Sequence, residues 1–292
     1  MKIPEKSSIL PLVSQLLASY PQLSGTLSKP LTVNLIIDTN VIIGELLWLT
    51  QKRKNKNAVT RLLELNKNKT ITAYAPEYLK QEIEDKIPEI SQKKNIQAEP
   101  LLAAWQSYKQ YITFVPHRSS NKLRKLCSRD PKDAPFIALQ LKYGYPIYSK
   151  DKDIAGMGGQ IISVEIIADL KEYSKHAETA YSIKIAGMGS FILTTSFVNM
   201  LIIILAKIPK KFTGIMFVVF ILLLINPSSR KYMFNLLKKA KLEVSNLLKA
   251  FIDFITPFVE QYEYNNKVAE NKKELITKHF SRRKPAVPVA EF

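Results

Sequence analysis

The 292-residue chain has one cysteine, three histidines and nine glycines, and far fewer acidic than basic residues. A single cysteine, Cys127, excludes an internal disulfide framework and makes a reducing compartment the default. His117, His176 and His279 lie too far apart for a local zinc motif, and no Cys-x-x-Cys pair exists. No Gly-rich loop ending in Lys-Ser/Thr is present, which removes the common nucleotide-triphosphate cradle. Residues 1–20 lack an uninterrupted apolar core because Pro11, Ser14 and Gln15 break it. They read as part of an amphipathic lead-in over 1–30 rather than an export signal.

What is present is positive charge. There are 43 Lys+Arg against 25 Asp+Glu, a net of +18, with a mean hydropathy near zero. Up to Lys184 there are 27 basic and 18 acidic residues; beyond it, 16 and 7. Each part therefore carries the same excess, but the second is shorter and holds two charge-free apolar stretches. The charged and apolar fractions exclude wholesale disorder.

Val33 to Ile37 is a short β-branched run after Pro30 that stops at Asp38, as a buried strand does. Helix is expected over Val41–Leu49, a second strand over Thr70–Tyr74, and helix over Glu77–Lys86 and Leu101–Lys109. A third strand follows at Ile112–Val115, helix at Ala134–Lys142, a fourth strand at Pro146–Tyr148 and a fifth at Ile161–Val164. Glu165–Ser174 closes the unit. Alternating helices and near-continuous apolar strands predict an α/β fold with a mostly parallel sheet covered on both faces, filling residues 31–180.

After Lys184 the pattern changes. Ile185–Ala206 has no charge over about 33 Å of helix, enough for a bilayer core. Phe212–Asn226 is also uncharged but spans only about 22 Å. The short connector Lys207–Lys211 sets them side by side with little protein left to cover them, so 185–226 is expected to be a transmembrane or re-entrant hairpin. Residues 228–265 carry an apolar stripe opposite Lys238, Lys239, Lys241 and Lys249. This is a basic amphipathic helix suited to anionic headgroups or to a partner helix, with Pro257 expected to kink or end it. Residues 266–292 are expected to be disordered.

The acids are placed more tellingly than the bases. In open parallel sheets ligands bind beyond the carboxyl ends of the strands. Asp38 follows the first strand, Asp151 and Asp153 follow the fourth, Asp133 opens the Ala134 helix, and Glu82 lies in the helix after the second strand. If the first and fourth strands are neighbours, Asp38 and Asp151 meet at one edge. Taken singly, Asp133 reads as a helix N-cap, Asp151 and Asp153 as turn residues, and Glu82 as a solvated charge. As a set, clustered carboxylates repel unless a cation neutralises them, and oxygen ligands without His or Cys suit Mg²⁺ or Mn²⁺. Such ions activate water and stabilise phosphoryl displacement. Two basic runs would hold a polyphosphate strand: Lys52, Arg53, Lys54 and Lys56, and Lys122, Arg124, Lys125, Arg129 and Lys132. Each also reads as a solvated face.

In this order, "LIIDTNVIIGELL", "AYAPEYLKQEIEDKIPEI", "DPKDAPFIALQL" and "YPIYSKDKDI" resemble the motifs of the PIN-domain ribonucleases, over residues of about 33 to 165. The resemblance implies a Rossmann-like α/β/α sandwich and divalent-metal-dependent hydrolysis of single-stranded RNA, leaving a 5′-phosphate and a 3′-hydroxyl. It implies that Asp38, Glu82, Asp133 and Asp151 are the catalytic, metal-holding acids, with Asp153 as a further metal ligand. Asn40 and Asp130 are implied as auxiliaries. Arg124, Lys125, Arg129 and Lys132 are the candidate RNA-binding residues.

A phosphatase with a strand-end aspartate nucleophile would need a second Asp two residues on, where this chain has Asn40. The remaining alternative is a membrane effector in which this domain only binds or senses nucleic acid. The partners expected are an RNA substrate, membrane lipid, an antitoxin or other regulatory protein, and a second copy of the chain. The expected location is the cytoplasmic membrane, with the nuclease domain on the cytoplasmic side.

Overall fold

The computed structural model describes residues 8–55, 58–116, 127, 130–206 and 227–281. By Cα proximity the chain divides into one unit of residues 1–178 with 266–292 and a second of residues 179–265.

The first unit is organised by strand β1 (Val33–Ile37). Its Leu35, Ile36 and Ile37 are all fully buried, so both faces of the strand are covered. It pairs in parallel with β2 (Ile71–Pro76) on one side and with a two-residue strand, here called β4 (Ile147–Tyr148), on the other. The strand β3 (Ile112–Val115) lies beyond β2, giving the order β3-β2-β1-β4. The direct β1–β4 pairing, with Ile37 opposite Tyr148, sets Asp38 and Ser149 side by side at one sheet edge.

Helix α1 (Ile9–Ser19) buries Leu10 and Val13. Helix α2 (Thr39–Leu47) leaves β1 directly and continues as a π-turn over Trp48–Lys52. Helices α3 (Arg61–Lys67), α4 (Leu79–Lys94) and α5 (Ala98–Tyr108) carry the chain to β2 and β3. Helix α6 (Ala134–Tyr143) ends at Gly144, whose φ of +69° is the left-handed C-cap that glycine takes without a Cβ penalty. A short α7 (Lys152–Gly156) follows β4.

Four expectations are corrected. Ile161 forms an isolated bridge to Ile147 rather than a fifth strand, because Val164 already begins a helix. That helix, α8 (Val164–Ala206), does not stop at Ser174 with a separate helix beginning at Ile185; it is continuous, and no Pro or Gly interrupts residues 164–186. Helix α9 (Pro227–Ser281) runs through Pro257, so it does not end there. Its last turns are ordered, not a disordered tail from residue 266: Ala269 and Ile276 are buried, and Lys272 pairs with Asp169 at 2.7 Å and Glu172 at 2.6 Å. Packing of 266–281 against the start of α8 supplies the stability that composition alone did not signal.

In the second unit, helical residues 179–206 and 227–265 place the Lys184 ammonium 5.8 Å from the centre of the Tyr262 ring. Among the described residues no helix is long and apolar enough to cross a membrane, so the expected anchor gains no support. Its connector and second limb, 207–226, lie outside the described residues.

Candidate active site

Asp38 is 2% exposed and sits at the N-cap position of α2. Its Oδ2 accepts the Ser149 hydroxyl at 2.6 Å, and Ser149 Oγ in turn accepts the Asp151 backbone N–H at 2.8 Å. One serine therefore ties the acid after β1 to the acid after β4. Burial raises the Asp38 pKa above its ordinary value and the nearby Glu82 adds to this. The Ser149 hydroxyl and the N–H groups of Thr39 and Asn40 work the other way.

Glu82 lies in the first turn of α4, where the N-terminal helix dipole favours an acid. Its two oxygens are committed: Oε2 accepts the Thr39 hydroxyl at 2.6 Å and Oε1 pairs with Lys86 at 2.8 Å. Thr39 follows Asp38 in the chain, so one backbone step places both acids.

Asp133 stands where α6 begins but makes no side-chain cap bond. Its Oδ2 is buried with no hydrogen-bond partner among the described residues. Burial, then Asp130, Asp38, Asp151 and Glu82, push its pKa to about 7. All four expected acids therefore share one electrostatic neighbourhood. Among the described residues, however, no three of them stand close enough to form a ready-made metal-ligand group.

The supporting residues are mostly ones that sequence reasoning did not single out. Tyr78 donates its hydroxyl to the Lys132 carbonyl at 2.7 Å and meets Phe136 edge-on at 5.8 Å, so it braces the chain just before Asp133. Burial pushes the Tyr78 pKa far up, reinforced by Glu82, Asp133 and Asp38, so it is a neutral donor here. Asp130 caps the short turn before α6 by accepting the Lys132 N–H at 2.9 Å. Asp151 caps α7 by accepting the Asp153 N–H at 2.8 Å, and Asp153 itself is exposed. Asn40 is exposed on the first turn of α2; the hydroxyl contact to Glu82 comes from Thr39. Of the expected RNA-binding residues, Lys132 is exposed beside Asp133, while Arg124, Lys125 and Arg129 lie outside the described residues. Cys127 is buried, and burial with the nearby Asp133 raises its thiol pKa, so it is held as a neutral thiol.

Carboxylates of this kind, with the Asp133 Oδ2 buried and without a partner among the described residues, are the oxygen-donor chemistry that suits a hard divalent cation, although they are not gathered into a ligand group. Residues 36–179, just under half of the chain, match the model of the PIN domain family, and that stretch contains all four acids. PIN domains are typically nucleases that use divalent metal ions, and the match supports a nuclease in general. No curated protein matches the chain.

Proposed function

We propose that the protein is an endoribonuclease that hydrolyses phosphodiester bonds of single-stranded RNA with Mg²⁺ or Mn²⁺, leaving a 5′-phosphate and a 3′-hydroxyl. The observation that carries this reading is the buried, unpaired Oδ2 of Asp133 among acids that already raise its pKa. An oxygen in that position has no stabilising partner within the described protein, and a cation supplies one.

Asp38, Asp133 and Asp151 would hold the cation, with Glu82 joining them once Lys86 or Thr39 yields an oxygen. When bound, such an ion lowers the pKa of water and neutralises developing charge on phosphate oxygens. The chain's own residues do the positioning. Ser149 fixes Asp38 and the Asp151 backbone, Thr39 fixes Glu82, and Tyr78 holds the backbone of Lys132. With a pKa of about 7, Asp133 ligates only after losing its proton, so cation binding and proton release are coupled. Lys132, exposed beside Asp133, would meet the phosphate backbone at the rim.

RNA and free Mg²⁺ meet in the cytoplasm, and the reading assigns the catalytic unit there. A regulatory protein and a second copy of the chain are further proposed partners. The test is cleavage of labelled single-stranded RNAs of varied sequence by the full-length protein, with Mg²⁺ or Mn²⁺ and with chelator, beside Asp38→Ala. Metal-dependent cleavage lost in the variant is the expected result. A folded wild-type protein that cuts no RNA with either metal overturns the reading.

A further inference from the structure

The C-terminal half of α2 borders a cavity of about 570 Å³ whose lining owes nothing to the four acids. That volume is in the range of small-molecule sites. Lys52, Arg61, Lys94, Lys150 and Lys171 line it, and Glu45 is the single acid in the lining among the described residues. Lys171 is partly committed to Glu64, at 3.1 Å. Glu45, which feels the Lys150 charge, is one acid against the remaining cations and offsets only part of their charge. Its carboxylate accepts the Thr60 and Tyr108 hydroxyls, and burial raises its pKa above the ordinary value.

Two further details suit a ligand with both phosphate and ring. Lys150 lies across α2 where residue 44 has no side chain: a Cβ on Gly44 would come within 3.3 Å of the Lys150 ammonium. Trp48 and Tyr148 add aromatic wall to the cationic lining. Cations paired with aromatic rings are the combination that holds a phosphate and a stacked base together.

We infer that this cavity is a nucleotide subsite, its lysines and Arg61 taking the phosphate and the Trp48 and Tyr148 rings walling the base. It shares two elements with the acid centre. Lys150 directly precedes Asp151, and Gly44 lies on the helix that Asp38 caps, about 9 Å along its axis. The nucleotide is either a residue of a strand engaged at the acids or a free nucleotide. The strand source rests on the nuclease reading; the free-nucleotide source does not.

The test is binding, not cleavage. Full-length wild-type protein in chelator, which leaves RNA intact, is titrated with 5′-AMP, with inorganic phosphate and with a short single-stranded RNA. Trp48 reports through its fluorescence, the other tryptophan, Trp105, being fully buried and outside the lining. Quenching by 5′-AMP or by the RNA is expected, lost in Trp48→Phe. It should weaken by about tenfold in the double variant Lys52→Ala with Arg61→Ala, with a shallower salt dependence. Lys52 and Arg61 are exposed, and an unchanged melting temperature shows that the variant folds. Binding of 5′-AMP identifies the free nucleotide as sufficient; binding of RNA alone identifies the strand. Three outcomes overturn the inference: no binding of either, binding that the double substitution leaves unchanged, or phosphate alone binding as tightly as 5′-AMP.

Discussion

The Ser149 hydroxyl donates to the Asp38 carboxylate at 2.6 Å while its oxygen accepts the N–H of Asp151 at 2.8 Å. It is the side-chain bond that most favours the charged form of an acid that burial pushes toward neutrality. A hydrogen bond to a charged group contributes about 1.5–3 kcal/mol. Ser149→Ala should therefore lower metal-dependent cleavage by roughly ten- to a hundredfold. Ser149→Thr, which keeps the hydroxyl, should retain most of the activity. A cleavage assay over a range of metal concentrations checks this. Equal activity in Ser149→Ala and wild type would show that the bridge has no catalytic weight.

Asp133 should trade stability for function. Its pKa of about 7 lies above the ordinary 3.8, so the folded state holds the proton more tightly than the unfolded one. The stability this contributes is complete below the ordinary value and is lost as pH rises through about 7. Without metal, Asp133→Asn should melt at a higher temperature than wild type at neutral and mildly alkaline pH, with the difference vanishing in acid. Cleavage should be abolished. Adding Mn²⁺ should raise the wild-type melting temperature and leave the variant unmoved. A variant less stable than wild type at alkaline pH would remove the argument for an unpaired oxygen.

Glu82 is held by Thr39 through one oxygen and by Lys86 through the other, 2.6 and 2.8 Å away. Thr39→Val leaves the Lys86 pair intact but removes the neutral donor, so Glu82 should swing toward Lys86 and cleavage should fall. Lys86→Met should do the opposite, freeing an oxygen and tightening the apparent metal affinity severalfold. Parallel metal titrations of the two variants read the difference. Identical shifts in both would mean that Glu82 does not enter the metal site.

The run from Val33 to Asp38 is readable because an apolar strand covered on both faces leaves no alternation, and its terminal acid then stands out. The meeting of Asp38 with Asp151 needed one topological condition, adjacent first and fourth strands, and β1 pairs with β4. Thr39, Tyr78 and Ser149 were not legible: a hydroxyl carries no periodic signal, and its partner is set by register across the sheet. Asn40, the more polar-looking choice, faces solvent instead. The ordered end of α9 was missed for a related reason. Residues 266–281 are charged in composition, and only Ala269 and Ile276 reveal the buried face.

That buried face makes a separate prediction. Ile276 is fully buried, while Lys272 keeps partial exposure in its pairs with Asp169 and Glu172. Ile276→Ala should cost about 2–5 kcal/mol, the range for emptying an apolar side-chain site. Lys272→Ala should cost no more than about 1 kcal/mol, and less at high salt. Denaturant unfolding of the full-length variants separates the two. A larger loss from Lys272→Ala would mean that charge, not apolar burial, holds residues 266–281 in place.

Glu45 gives the cleanest pH test because no metal need be present. Burial raises its pKa from the ordinary 4.5, against the Thr60 and Tyr108 hydroxyls and the Lys150 charge. The folded state thus binds the Glu45 proton more tightly than the unfolded state. That stability is complete below 4.5 and is lost as pH rises through the raised value. Glu45→Gln keeps an oxygen that accepts the same hydroxyls but has no proton to lose. Relative to wild type, its melting temperature should climb as the solution moves from acid to neutral, and comparing the two proteins cancels the slope due to Asp133. The same variant should bind 5′-AMP at least as tightly as wild type, since it removes the only carboxylate in the cavity lining among the described residues. A melting-temperature difference that stays flat across the acid-to-neutral range would show that Glu45 is charged in the fold, with Lys150 as its partner rather than the ligand's.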